Sequence, residues 1–475
     1  MAVDLLNDVL GFLVWMGTFF PEKIFPVHFF SIWEWGFYMG GTGLLFWLIF
    51  VLRVWHGQKY TVYTEPYQVP FVVVAVNYRE PEDNVRASIK SVLSGEVKPE
   101  VYVIVFNGQL VGYEHALVEE YRQEGVHFRF LEKGDKRYAQ ADGIRYIARL
   151  NEEQNLGIEL VVLMDGDTLW QEDTSRELLK PFTNNRIDAV AAAQVIDNPD
   201  ESLWAMITAL LTHWGHEVGQ KWQSVIQSSS CLRGRTNAFR LSTLMQPGFL
   251  EEFADWYFMD WKYISHLGRK LNYRRISGDD GTLTFLVLKY NWLRQRKIGG
   301  TFVQMSSKIH TLAEPGFEKF IKMRVRCMTN TYTRYIDAIF RSWFWAQNWR
   351  FKLEFVVSVI IPLGFIACTA VFTISIGRIF YYLAIGDFFS ALAEGLVPTL
   401  LYFTWYNLGR FIRAPKWALS NKQRLKRWPA MVLVFLFILS FARWWALFSL
   451  LWPQQGWGTR HGSTIAVSRT KAGSI

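Results

Sequence analysis

The chain has 475 residues, 51% of them hydrophobic and 17% aromatic, with 22 Trp and 37 Phe. That aromatic load is high for a soluble domain and suits a bilayer interface, where amphipathic rings anchor. The formal net charge of +9 leaves nucleic acid, anionic lipid and anionic substrates open, whereas the three cysteines, Cys231, Cys327 and Cys368, form no CxxC pair and exclude a disulfide or zinc framework.

Leu5 to Phe20 is apolar but short and interrupted by Asn7 and Asp8, which predicts an interfacial helix; the acidic start argues against a cleavable signal peptide. Phe30 to Val54 is long enough to cross a bilayer, which takes about 20 residues. It ends in Arg53, His56 and Lys59, so the positive-inside rule brings the chain out on the cytoplasmic side. Residues 1–60 are thus expected to form an interfacial helix and a transmembrane helix.

Residues 61–348 read as an α/β alternation. Buried strands are expected at Pro70–Val76, Val101–Phe106, Val126–Leu131 and Leu160–Met164, separated by helices near Asp83–Leu93 and Ala139–Leu150. Strands joined by single helices predict a right-handed, doubly wound, mostly parallel sheet. In such sheets ligands sit off the carboxyl ends of the strands. There the sequence places Asn77-Tyr78-Arg79-Glu80, Asn107-Gly108, Lys136-Arg137 and Asp165-Gly166-Asp167. Two carboxylates two residues apart supply hard oxygens that suit Mg2+ or Mn2+ shared with a substrate diphosphate. A second acidic pair, Asp279-Asp280, lies in the glycine-flanked stretch Gly278-Asp279-Asp280-Gly281. Neighbouring carboxylates raise each other's pKa, which fits one of them for general-base work.

Residues 349–455 are predicted to be mostly membrane helices, with apolar runs at Phe355–Tyr381, Phe389–Tyr406 and Pro429–Trp452. Between the last two, residues 410–427 carry Arg410, Arg413, Lys416, Lys422, Arg424, Lys426 and Arg427. This basic loop belongs in the cytoplasm and puts the excess charge beside lipid head groups, not nucleic acid. Arg443 would sit near the centre of the last run at a cost of about 3 kcal/mol or more. A helix broken near Arg443 and returning to the cytoplasm avoids that cost, leaving residues 456–475 as a cytoplasmic tail.

These residues carry a family resemblance. The Met164-Asp165-Gly166-Asp167-Thr168 strand end, Glu177-Leu178-Leu179-Lys180-Pro181-Phe182, Cys231-Leu232-Arg233-Gly234-Arg235-Thr236, Gly278-Asp279-Asp280 and Trp457-Gly458-Thr459-Arg460 resemble membrane-embedded processive family 2 glycosyltransferases. The likeness is to type 3 capsular polysaccharide synthase and hyaluronan synthase, and also to the alginate synthase catalytic subunit. It implies a cytoplasmic GT-A-like domain inserted between transmembrane and interfacial helices, with interface helices near 320–348, in an inner or plasma membrane protein. It further implies an inverting β-glycosyltransferase that builds a polysaccharide from UDP-glucose, UDP-glucuronic acid or both and secretes it through its own channel. Another sugar nucleotide, or a non-processive lipid glycosyltransferase, is the alternative. The implied partners are the nucleotide-sugar donor, the growing polysaccharide, membrane lipids, and a second copy or accessory export subunits.

By the same resemblance, Asp280 is the general base with Asp279 beside it, and Asp167 and Asp165 hold the Mg2+ or Mn2+. Glu80, Asn107, Lys136, Arg137, Asp165, Arg326, Trp457 and Arg460 surround the donor, while Cys231, Gly234 and Arg235 lie on the acceptor side. Four positions depart from the family pattern. Asp135 replaces the glycine of Gly-Lys-Arg, and Gly281 the arginine of Asp-Asp-Arg. Met323 and Cys327 stand for the Gln and Trp of Gln-x-x-Arg-Trp.

Overall fold

The structure is a computed structural model that describes residues 48–108, 110, 112–132, 135–233, 235–255, 278–397, 399–400, 403–404, 411 and 414–451, the side chains of 362, 364–368 and 370–371 excepted. It divides into two units, Arg53–Phe355 with Leu447–Ile475, and Met1–Leu52 with Val356–Ala446.

The first unit is built on eight strands. In chain order they and their main helices are β1 (Phe71–Asn77), α1 (Glu82–Leu93), β2 (Val101–Asn107), α2 (Glu114–Tyr121), β3 (Val126–Leu131), α3 (Lys136–Gln154), β4 (Leu160–Asp165), β5 (Leu169–Trp170), β6 (Ala189–Ile196), α4 (Leu203–Trp214), β7 (Thr236–Arg240), α5 (Asp279–Gln295), β8 (Thr301–Thr311) and α6 (Phe317–Ile339). The sheet order is β3-β2-β1-β4-β7-β6-β8-β5. Strands β3, β2, β1 and β4 run parallel, as the alternating sequence requires. β1 reads Phe-Val-Val-Val-Ala-Val-Asn and is buried along its whole length, the pattern of a strand covered on both faces. Helix α3 lies directly on it: a Cβ on Gly143 would stand 2.6 Å from Val74 Cγ1 and 3.3 Å from Val105 Cγ2. Ile104, fully buried in this core, should cost about 2–5 kcal/mol when cut to alanine.

Beyond β4 the sheet is mixed. β7 pairs antiparallel with both β4 and β6, and β5 pairs antiparallel with β8. The antiparallel β7 brings its amino end to the carboxyl end of β4: Thr236 faces Met164, and the Asp165 amide donates to the Arg235 carbonyl at 2.9 Å. This crossing, absent from a purely doubly wound reading, delivers Arg235 and Asn237 to the same edge as the acidic motif.

In the second unit, helix α7 (Ile361–Ala384) follows a π turn at Val356–Ile360. Thr369 Oγ1 donates to the Leu436 carbonyl at 2.5 Å, Trp444 Nε1 donates to the Leu363 carbonyl at 3.1 Å, and Phe372 meets Phe437 edge-on at 5.8 Å. A helical run, Lys422–Leu451, extends over 30 residues and is the only helix among the described residues long and apolar enough to cross a membrane. Leu48–Gly57 and Phe372–Ala384 are shorter apolar helices. The run passes through Arg443 without the expected break; its irregularities are Pro429, a π turn at Val434–Ile438 and a 3-10 end at Ser449–Leu451. Most of the first expected span, part of Phe389–Tyr406 and of the basic loop, and the tail with Trp457 and Arg460 lie outside the described residues.

Candidate active site

Three parallel strands end side by side at Asn77, Asn107 and Asp165, all buried. After β1 the chain turns through Arg79, whose φ is 52°, and buries Glu80, whose carbonyl accepts from Tyr113 Oη at 2.5 Å. Asn107 Oδ1 accepts from the Asp135 amide at 3.1 Å, which ties the end of β2 to the start of α3. Asp135 caps α3, accepting from the amides of Arg137 and Tyr138 at 3.1 and 3.2 Å. An aspartate therefore suits this position: its side chain satisfies helix-end amides that glycine would leave to solvent or ligand.

The cap aims Lys136 into the cleft, where its ammonium pairs with both Asp165 Oδ1 and Asp279 Oδ2. One turn on, Gln140 Nε2 donates to Asp279 Oδ2 at 3.2 Å. A single helix face thus joins the acidic motif at the end of β4 to the acidic pair that opens α5. Arg137 is buried beside Lys136 in sequence.

Between Asp165 and Asp167 the backbone has no room for a side chain: a Cβ on Gly166 would collide with Asn77 Oδ1. Arg235 pairs through Nη1 with Asp167 Oδ2, and its Nε lies 4.0 Å from Asp165 Oδ2. Burial opposes the charge on Arg235, but Asp167 and Asp165 outweigh it and hold the guanidinium above its ordinary pKa. The other oxygen, Asp167 Oδ1, is buried without a hydrogen-bond partner. A buried carboxylate oxygen left bare beside a second carboxylate is a donor set that fits a divalent cation, the remaining oxygens coming from a diphosphate or water. Among the described residues no group of three or more His, Cys, Asp and Glu side chains is gathered for a metal.

Across the cleft, α5 begins at Gly278, with φ 86°, and its first turn carries Asp279 and Asp280. Asn237 Nδ2 donates to Asp280 Oδ1 at 3.1 Å from β7. Burial pushes the Asp280 carboxyl well above the usual carboxylate range, and Asp279 pushes it the same way; Lys136 and Arg334 act in the opposite direction. A carboxyl so raised is a stronger base, once ionised, than an ordinary carboxylate. Burial also pushes the Cys231 thiol up to about 11, so it remains protonated and acts as a neutral wall.

Lys136, Asp165, Asp167, Arg235, Asp279 and Asp280 therefore belong to one cleft. Arg235, expected on the acceptor side, pairs with Asp167 and lies 4.0 Å from Asp165. Arg326 lies on α6, eight residues or about 12 Å before Arg334. Gly234, Trp457 and Arg460 lie outside the described residues. Sequence reasoning missed Asn237 and Gln140. Period-two spacing from Arg235 points to the first, and i,i+4 spacing from Lys136 to the second.

Residues 72–239 match the family described as Glycosyl transferase family 2. No curated protein sequence matches the chain. Among solved structures, the mannosyltransferase PcManGT from Pyrobaculum calidifontis, in complex with GDP-Man and Mn2+, is similar at 15% identity and a TM-score of 0.52, over 86% of this chain and 96% of that one. That likeness shows a shared fold reaching well beyond the matched family segment. The segment that matches this family, residues 72–239, carries Glu80, Asn107, Lys136, Asp165, Asp167 and Arg235.

Proposed function

We propose that the chain is a membrane-integrated, inverting β-glycosyltransferase that polymerises sugars from a nucleoside-diphosphate sugar into a secreted polysaccharide. The observation that carries this reading is the Lys136 ammonium shared by Asp165 and Asp279, which puts a diphosphate-binding motif and a raised carboxyl in one cleft. Asp280 takes the proton from an acceptor hydroxyl as its oxygen attacks the anomeric carbon. The carbon–oxygen bond to the diphosphate breaks from the opposite face, which inverts configuration. A divalent cation held through Asp167 Oδ1 and Asp165 would supply charge neutralisation for the leaving diphosphate. Lys136 and Arg235 hold those two carboxylates in place, and Glu80 and Asn107 line the nucleoside end of the crevice.

The membrane part of the reading is supported by the long apolar helix Lys422–Leu451 and by exposed Phe340, Trp345 and Trp349. These rings stand among Arg341, Arg350 and Lys352, the mixture of aromatic and basic side chains that favours a bilayer interface. Co-sedimentation of the full chain with liposomes should survive high salt and carbonate wash. Release into the soluble fraction would sink the membrane reading. Truncation before Gly456 should leave a folded protein with little polymer synthesis, in line with a donor-side role for Trp457 and Arg460.

The deciding experiment is size analysis of the product after incubating purified protein with UDP-glucose, UDP-glucuronic acid and GDP-mannose, singly and together, with Mn2+ or Mg2+. Long chains support a processive synthase. A single transferred residue supports the second reading, a non-processive transferase, and GDP-mannose belongs in the panel because the similar solved mannosyltransferase is a GDP-Man complex. Absence of transfer from every sugar nucleotide would overturn both readings.

A further inference from the structure

Two glycines bracket the acidic pair at the start of α5, and one face of α6 occupies the space beside both. A Cβ on Gly278 would stand 2.7 Å from Asn330 Nδ2 and 3.1 Å from Arg334 Nη1. A Cβ on Gly281 would collide with the guanidinium carbon of Arg334 and lie 2.6 Å from its Nε. Asn330 and Arg334 are four residues apart and therefore share one face of α6. Arg334 is only 5% exposed. Its guanidinium lies 5.9 Å from the Phe285 ring, its Nε has no hydrogen-bond partner, and among the described residues it forms no ion pair.

This placement runs against two ordinary preferences. A helix N-terminus presents positive partial charge, so a cation packed against it is disfavoured. A buried guanidinium without a partner costs desolvation that an aliphatic side chain of the same length would not. The groups that offset both costs are the carboxylates of the same turn, Asp279 and Asp280. Asp279 already has Lys136 and Gln140, whereas Asp280, among the described residues, has a hydrogen bond from Asn237 and no ion pair.

We infer that Arg334 is a positioning residue for Asp280, backing the first turn of α5 so that the carboxylate faces the acceptor, with Gly278 and Gly281 small because the guanidinium and the Asn330 amide need their space. The inference rests on the reading of Asp280 as general base. Arg334 touches no reacting atom; it acts through the turn that carries Asp280, in concert with Asn237 on β7.

The test is Arg334→Ala and Arg334→Lys in the full-length protein, read by steady-state kinetics, donor binding and thermal melting. Arg334→Ala should lower kcat by about 10–100-fold, the range for a residue that orients a functional ligand, with the donor KM unchanged. Guanidinium or ethylguanidinium in the buffer should restore part of that loss and leave the parent enzyme unaffected, because the vacated space takes the ion. Arg334→Lys, which keeps the charge and guards against a variant that fails to fold, should lie between the two. Unchanged kcat in Arg334→Ala, or a loss that a guanidinium ion does not restore and that tracks a lowered melting temperature, would overturn the inference. The two readings separate cleanly. If Asp280→Asn stays active, the base assignment fails; if Asp280→Asn is inactive and Arg334→Ala is not, only the role of Arg334 fails.

Discussion

The cleft holds two pairs of aspartates whose surroundings differ because they stand on different elements. Asp165 and Asp167 end a parallel strand and turn about Gly166, with Lys136 on one and Arg235 on the other. Asp279 and Asp280 open a helix, where the backbone amides favour negative charge, yet burial and mutual repulsion raise the Asp280 carboxyl. The strand pair is compensated by fixed cations and keeps one oxygen bare. The helix pair has a single ammonium, and that is bound to Asp279. On the proposed reading, identical side chains become a charge clamp in one place and a proton acceptor in the other.

The difference is broken most directly by removing one charge from each pair. Asp280→Asn should lower kcat by about 10²–10⁴-fold while calorimetry still records donor binding, since acid–base catalysis is lost and the donor site is not. Asp167→Asn should cost about 10²–10³-fold and abolish the dependence of donor binding on Mn2+ or Mg2+, and EDTA should reproduce the loss in the parent enzyme. If the two variants gave the same binding defect, the division of labour between the pairs would be wrong.

Lys136 sharpens the comparison because it belongs to both pairs. Lys136→Met should cost about 10–100-fold, less than either aspartate, since it orients and neutralises groups that remain present. It should also weaken donor binding, which Asp280→Asn does not. A Lys136→Met enzyme with donor affinity intact and only kcat reduced would move the lysine wholly to the acceptor side.

The strand half of this cleft was legible in the chain because period and composition dictate it. Unbroken β-branched runs such as Phe71–Val76 can only be buried strands, and their polar ends must then share an edge. The helix half was less legible. That Asp279-Asp280 lies opposite Asp165 depends on α5 packing across the sheet, a contact between residues more than a hundred positions apart, for which no local pattern exists. Arg235 was expected beside Cys231 and Gly234 on the acceptor side, but the antiparallel β7 brings it to Asp167. Gly281 shows the limit most plainly. In the sequence it is a missing arginine; in the fold it is the space that Arg334, far along the chain, fills. The break expected at Arg443 is absent: the helical run continues through it to Leu451.

The smallest effect tests the electrostatics of the helix pair alone. After burial, Asp279 is the largest influence raising the Asp280 carboxyl, with Asp165 adding in the same sense and Lys136 and Arg334 opposing. A base works only when ionised, so activity should rise as pH climbs through the raised value, and the acid limb of the kcat profile should stand above the ordinary carboxylate range. The stability sign is the reverse. The folded protein holds that proton more tightly than the unfolded chain, so this group's contribution is full below the ordinary carboxylate range and is lost as pH rises through the folded value. Asp279→Asn removes the repulsion and should move the acid limb to lower pH, whereas Lys136→Met removes an opposing cation and should move it to higher pH. The two shifts in opposite directions, measured on variants that still turn over, are what the shared cleft requires. Shifts of the same sign, or none in either, would show that the proton limiting the rate sits on another group.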